Sequence, residues 1–139
     1  MPRLEHAKIA VSHVQPTLDF QQCAFPNWRV RGSGSSPWYG VPRNWLHFGD
    51  DETYVVLNDH AEGDWRDLKG ATPGLMHLGF VVDDLDVIMQ RLTEAGYKVH
   101  ADGADHPHRR NIYYLDGAGL EFEFTEYLSD VPAEKNLYT

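Results

Sequence analysis

The chain is short of several things, and each shortage removes a class of protein. Cys23 is the only cysteine in 139 residues, so no disulfide can form within the chain. Basic residues are scarce: 12 Lys and Arg stand against 21 Asp and Glu, a net charge of −9 with histidines neutral. That balance repels polyanions and argues against nucleic acid or an anionic membrane surface as the main partner. No apolar run is long enough to span a bilayer, and the first residues contain no apolar signal region. A cytoplasmic protein is therefore expected. What remains is ordinary for a soluble globular chain, with 42% hydrophobic and 24% charged residues. A chain of this length buries roughly 68–70% of its unfolded surface, enough for a core without staples.

An internal repeat is the main organising feature. Leu4-Glu5-His6-Ala7-Lys8-Ile9-Ala10-Val11 and Leu75-Met76-His77-Leu78-Gly79-Phe80-Val81-Val82 are both alternating strands with a histidine near the start. Each is followed later by an Arg-Asn pair that opens a hairpin, Arg43-Asn44 in one half and Arg110-Asn111 in the other. The histidines are 71 positions apart and the Arg-Asn pairs 67. An indel of four residues reconciles the offsets, and the ordered matches point to duplication.

Between strand and hairpin, each half is predicted to hold a helix and a further strand. In the second half, Asp83 or Asp84 caps a helix whose apolar stripe is Leu85, Ile88, Met89 and Leu92, and Gly96 stops it. Tyr97–His100 reads as a strand and Asp102–Arg109 as a loop. In the first half, a helix spans Thr17–Ala24 between Pro16 and Pro26, then a strand covers Trp28–Arg31. Gly32–Pro42, rich in Gly, Ser and Pro, reads as a mobile loop. The fold class is thus α+β: tandem βαβββ modules at 1–60 and 75–127, a connector at 61–74 and a tail at 128–139.

Alternate residues of a strand face opposite sides, so parity sorts the candidate site. Phe122 and Phe124 make an apolar face, with Glu121, Glu123 and Thr125 on the other. Ala7, Ile9 and Val11, and Leu78, Phe80 and Val82, are likewise apolar faces, opposite His6 and His77. Two imidazoles and a carboxylate can hold a divalent ion facially, with positions left for water, substrate or dioxygen.

These residues carry a family likeness. His77–Asp84 together with Asp116-Gly117-Ala118-Gly119-Leu120-Glu121-Phe122-Glu123-Phe124 resembles a module of the vicinal oxygen chelate superfamily, which includes glyoxalases, bleomycin resistance proteins and extradiol dioxygenases. Such modules place a ligand Glu seven positions after the first Asp of the closing turn, and seven from Asp116 is Glu123. The resemblance implies a curved, partly open mixed β-barrel with helices outside. It also implies metal ligands at His6, His77 and Glu123, a divalent cofactor (Fe, Mn, Zn, Ni or Co), and a small substrate chelated through neighbouring oxygens. A homodimer is implied as well. The turn departs from the family pattern at Gly117-Ala118, and the repeat puts Val56 where four-ligand members have Glu or Gln. Glyoxalase I chemistry is therefore not expected.

With the hairpin turning at Asp116–Gly119, Tyr114 is expected opposite Glu121, Ile112 opposite Glu123, and Arg110 opposite Thr125. In the first half His47 is expected opposite Tyr54, Trp45 opposite Val56, and Arg43 opposite Asn58. His47, Tyr54 and Tyr114 are candidate catalytic groups near the metal, with His47 or Tyr54 suited to moving a proton. Arg110, or Arg43, could hold a substrate anion. Glu121 is expected to face solvent, the four tryptophans to pack, and His106–Arg110 to be a polar loop. The competing functional class is a metal-free small-molecule or antibiotic binder of the bleomycin-resistance type.

Overall fold

In the computed structural model, which describes residues 1–138, the chain forms two compact units, Met1–Asp64 and Trp65–Thr139. The first contains β1 (His6–Ala10), α1 (Val14–Ala24), β2 (Arg29–Trp38), β3 (Val41–Gly49) and β4 (Tyr54–Asn58). The second contains β5 (His77–Val81), α2 (Leu85–Glu94), β6 (Val99–Asp102), β7 (Arg109–Leu115), β8 (Glu121–Tyr127) and α3 (Pro132–Lys135). The expected α+β class and tandem βαβββ order are both present. Each unit has one four-stranded mixed sheet, in the orders β1-β4-β3-β2 and β5-β8-β7-β6. The parallel pairs are β1 with β4 and β5 with β8.

Helix α2 forms where its sequence signals lie. The Asp84 carboxylate accepts from the Val87 backbone N–H at 3.1 Å, satisfying one of the free donors of the first turn. Leu85, Ile88 and Leu92 are buried, and Gly96 leaves the helix at φ +92°, a conformation that favours glycine. Helix α1 begins three residues earlier than expected. Pro16 lies in its first turn, where the missing N–H would have had no partner anyway.

Strand parity holds as read. Phe122 and Phe124 are fully buried on the side where α2 packs on β8, while Glu121, Glu123 and Thr125 occupy the open side. Each buried phenylalanine contributes about 1.5–3 kcal/mol by leaving water. In the first unit Ile9, Phe20, Phe48, Val55 and Leu57 form the corresponding core.

Three expectations are corrected. Gly32–Pro42 is not a loop: β2 runs on to Trp38, pairs with β3, and turns at Tyr39-Gly40. Both turn residues have positive φ, +46° and +77°, as a two-residue hairpin requires. Its small residues serve packing, because a Cβ on Gly34 would come within 2.8 Å of the Trp45 ring. In the second unit, the last strand before the hairpin is Val99–Asp102, two residues later than Tyr97–His100.

Strand register also differs from expectation. In the first hairpin Gly49 pairs with Tyr54, His47 with Val56 and Trp45 with Asn58. That is a two-residue slip from expectation, which keeps every side chain on its side. In the second hairpin Leu115 pairs with Glu121, Tyr114 with Phe122, Tyr113 with Glu123 and Arg110 with Glu126. That slip is one residue, and it moves Tyr114, Ile112 and Arg110 to the helix-covered side. The turn between β7 and β8 holds residues 116–120, one more than 50–53. Arg43 therefore corresponds to Arg109 by register, and the Arg-Asn match with Arg110-Asn111 is off by one.

Candidate functional site

The second unit gathers its polar groups around His77. Parallel pairing of β5 with β8 sets His77 beside Glu121 and Gly79 beside Glu123. His77 Nε2 lies 3.0 Å from Glu123 Oε2, and Nδ1 lies 3.2 Å from Glu121 Oε1. His100 Nε2 reaches the other Glu121 oxygen at 3.5 Å. Glu121 thus lies against two histidines with its side chain only 13% exposed, contrary to the expectation that it faces solvent. The second oxygen of Glu123 accepts from Asn111 Nδ2 at 3.0 Å and from Thr125 Oγ1 at 3.3 Å. Oε2 is left to the imidazole.

Tyr113, and not the expected Tyr114, stands edge-on to His77 with ring centroids 5.4 Å apart. Burial first, then the negative charge of Glu123, hold its phenol above the ordinary value. It stays a hydroxyl donor at neutral pH. Arg109, Asn111, Tyr113, Glu123 and His106 line a cavity of about 300 Å³. Tyr114 is fully buried and pairs with Phe122, so it does not reach this face. Arg110 is paired with Asp86 at 2.8 Å and Glu126 at 3.6 Å, which occupies the guanidinium on the helix side. The missed residues had one usable signal: an Asp116 carboxylate that accepts from the backbone N–H groups of Ala118, Gly119 and Leu120 extends the turn by one residue.

The open face of the first unit is aromatic and cationic. Tyr54 is stacked between His6 and His47, each at 4.8 Å and 17°, and the Arg31 guanidinium sits 4.2 Å above its ring. Glu5 accepts from Tyr54 Oη at 3.1 Å and faces His6 Nδ1 at 2.9 Å, and these contacts hold its carboxyl below the ordinary value. The His47 pKa is lowered by burial first, then by the positive charges of Arg31, His6 and Lys8. His47 and Tyr54 are thus in ring contact although their strand positions are not paired, with His6 on the same face.

The donor set can be tested against a metal by its spacing. A divalent ion with bonds of about 2.1 Å places adjacent octahedral donors about 3 Å apart, the separation of His77 Nε2 from Glu123 Oε2. The pair fits. Among the described residues no group of three His, Cys, Asp or Glu side chains is gathered as a metal site. His6 belongs to the first unit and His77 with Glu123 to the second.

The sequence pattern described as the glyoxalase/bleomycin resistance protein/dioxygenase superfamily matches residues 5–114. Among curated proteins there is no match. Of solved structures, a glyoxylase/bleomycin resistance protein/dioxygenase domain from Frankia sp. EAN1pec is similar, with TM-score 0.73 and 20% identity over 91% of this chain and 98% of that one. A fosfomycin resistance protein, FosX, from Listeria monocytogenes in complex with Mn(II) and sulfate matches with TM-score 0.64 and 20% identity, covering 97% and 98%. A mutant of that protein, with Mn(II) and dihydroxypropylphosphonic acid, matches at 0.67 and 16%, covering 94% and 95%.

Proposed function

Because the chain belongs to the glyoxalase/bleomycin resistance protein/dioxygenase superfamily, we propose that it is a divalent-metal enzyme acting on a small substrate chelated through neighbouring oxygens. The observation that carries this is His77 Nε2 set 3.0 Å from Glu123 Oε2, with the carboxylate oriented by Asn111 and Thr125. The reading takes His6 as third donor, from the family resemblance and its matched place on β1. Its Nδ1 is engaged by Glu5, which leaves Nε2 for the ion. The Mn(II) complexes of FosX support a divalent metal in this fold. We extend the reading to a homodimer.

Bound there, a divalent ion would supply Lewis-acid stabilisation of negative charge on the chelated substrate. The chain's own residues do the rest. Asn111 and Thr125 keep Glu123 from rotating. Glu121 fixes the His77 ring through Nδ1, as carboxylates commonly do for ligating histidines. Tyr113 presents a protonated hydroxyl beside the pair, suited to holding a substrate oxygen or moving a proton at Oη. In the first unit, neutral His47 next to Tyr54 is the other candidate for proton transfer.

Calorimetric titration of metal-free protein with Mn²⁺ tests the reading, run on wild type, His77→Ala and Glu123→Ala. Stoichiometric binding by wild type and a loss of about 100-fold or more in each variant is expected. Equal binding by all three would reject the site. No binding by wild type would favour the metal-free binding class.

A further inference from the structure

The open face of the first unit holds a second cavity, of about 340 Å³, lined by Lys8, Ala10, Trp38, Arg43 and Asn58. Its charge is one-sided. The chain carries −9 overall, yet no carboxylate lines this cavity. Among the described residues neither Lys8 nor Arg43 forms an ion pair. The Lys8 ammonium rests 4.1 Å above the Trp38 ring, and Arg43 donates one N–H to the Asp59 backbone carbonyl at 3.1 Å. Arg31 stands on the same face, over Tyr54. An acidic chain that leaves cations unpaired on one concave surface creates a local positive potential there.

The floor of the cavity is polar and incompletely paired. Asn58 is 8% exposed and its Oδ1 is buried without a hydrogen-bond partner, as is Arg43 Nε. An anionic occupant would relieve Arg43 Nε, which is a donor, since unpaired buried polar groups are costly. The wall is different: Trp38 offers a flat ring and Ala10 a small apolar surface. A cavity of this size suits a small molecule, and its walls combine apolar area with a few directed polar groups.

We propose that this cavity binds a small organic anion, a carboxylate or phosphonate carrying a planar or apolar flank. The acid group lies between the Lys8 ammonium and the Arg43 guanidinium, and the flank lies against the Trp38 ring. Arg43 can offer N–H groups in a fork that matches a two-oxygen anion. Lys8 adds a point charge from the exposed rim. Burial first, and then the charges of Arg31, His6 and Lys8, depress the His47 pKa, in line with several cations on this face. The site lies wholly in the first unit and does not depend on metal binding by His77 and Glu123.

Calorimetric titration of EDTA-treated protein with phenylphosphonate, inorganic phosphate and benzylamine tests the proposal. Phenylphosphonate is expected to bind about tenfold tighter than inorganic phosphate, which lacks the flank, and benzylamine not at all. Lys8→Gln, at an exposed position, should weaken phenylphosphonate about tenfold, and Arg43→Gln by at least as much. Arg43→Lys, which keeps the charge but not the fork, should fall between wild type and Arg43→Gln. Absence of binding by wild type would overturn the site. So would equal binding by Lys8→Gln, or binding of benzylamine as tight as phenylphosphonate. Binding lost in Arg109→Gln but kept in Lys8→Gln would place the anion in the second unit and also overturn it. If phenylphosphonate binds only after Mn²⁺ is added and His77→Ala abolishes that binding, the anion sits on the metal, and this proposal fails while the metal reading stands.

Discussion

On matched strands, the open faces of the two sheets carry opposite chemistry. By register, His6 answers to His77, Lys8 to Gly79, Tyr54 to Glu121, Val56 to Glu123 and Asn58 to Thr125. Across the hairpins, His47 answers to Tyr113, Trp45 to Asn111 and Arg43 to Arg109. Only the opening histidine and the distant arginine keep their type. The first face is cations over aromatic rings; the second is carboxylates held by an imidazole, an amide and a hydroxyl. The opposite faces, by contrast, keep buried apolar residues at their centres in both units, with Val55 and Leu57 matching Phe122 and Phe124. Packing under a helix limits composition to what excludes water. An open face needs only the backbone ladder, which is indifferent to side chains, so function can diverge there.

The sharpest test of this contrast is that the covered faces should respond alike. Phe122→Ala and Leu57→Ala should each destabilise by about 2–5 kcal/mol, the cost of an emptied core site. Chemical denaturation reads it, and a change under about 0.5 kcal/mol would show that one unit does not rely on its core.

A second test separates Glu121 from its counterpart Tyr54. If Glu121 orients His77, Glu121→Ala should weaken Mn²⁺ binding about 10–100-fold, and Glu121→Gln should restore most of it. The amide oxygen can still accept from Nδ1–H. Tyr54→Phe should leave metal affinity within about twofold of wild type. Titration calorimetry would show whether Gln rescues; failure to do so assigns Glu121 a charge role instead.

Val56→Glu asks whether position 56 can be made to resemble 123. Val56 is 5% exposed and pairs with Lys8 and His47, so a carboxylate there loses hydration but gains cationic neighbours. We expect a net destabilisation of about 1–3 kcal/mol and tighter Mn²⁺ binding. Wild type should show weak or no turnover of the methylglyoxal–glutathione hemithioacetal. Rapid wild-type turnover, or unchanged metal affinity in the variant, would separate position 56 from the metal.

The smallest expected effect is a titration. Burial and then the charges of Arg31, His6 and Lys8 depress the His47 pKa, so its midpoint by NMR should lie below the ordinary value of about 6.5. As pH falls below that value, the unfolded chain takes up a proton that the folded state resists, and stability declines. Arg31→Gln should raise the midpoint, and Lys8→Gln should raise it less. An unshifted midpoint in both variants would deny the positive field of the first face.

Much of the site was legible in sequence because parity along one strand needs no partner. Glu121 and Glu123 share a side because they are two residues apart, and Asp116 to Glu123 spans a recognisable turn and strand. Partners across a hairpin were not legible in the same way. A turn of four residues or five gives the same apolar alternation on each strand, yet one residue decides whether Tyr113 or Tyr114 faces Glu123. Gly32–Pro42 misled for another reason: Gly and Ser read as loop formers, but here they make room for Trp45 across a long hairpin.

Local pattern alone was enough for the repeat and for the helix bounded by Asp84 and Gly96. Those follow from periodicity and local capping, which act within a few residues. Only tertiary structure decided that Glu121 joins His77 and His100, that Arg110 is consumed by Asp86 and Glu126, and that Lys8 and Arg43 meet at one cavity. Such contacts join residues far apart in the chain, and their geometry is set by strand register, where a shift of one residue exchanges the two faces of a sheet.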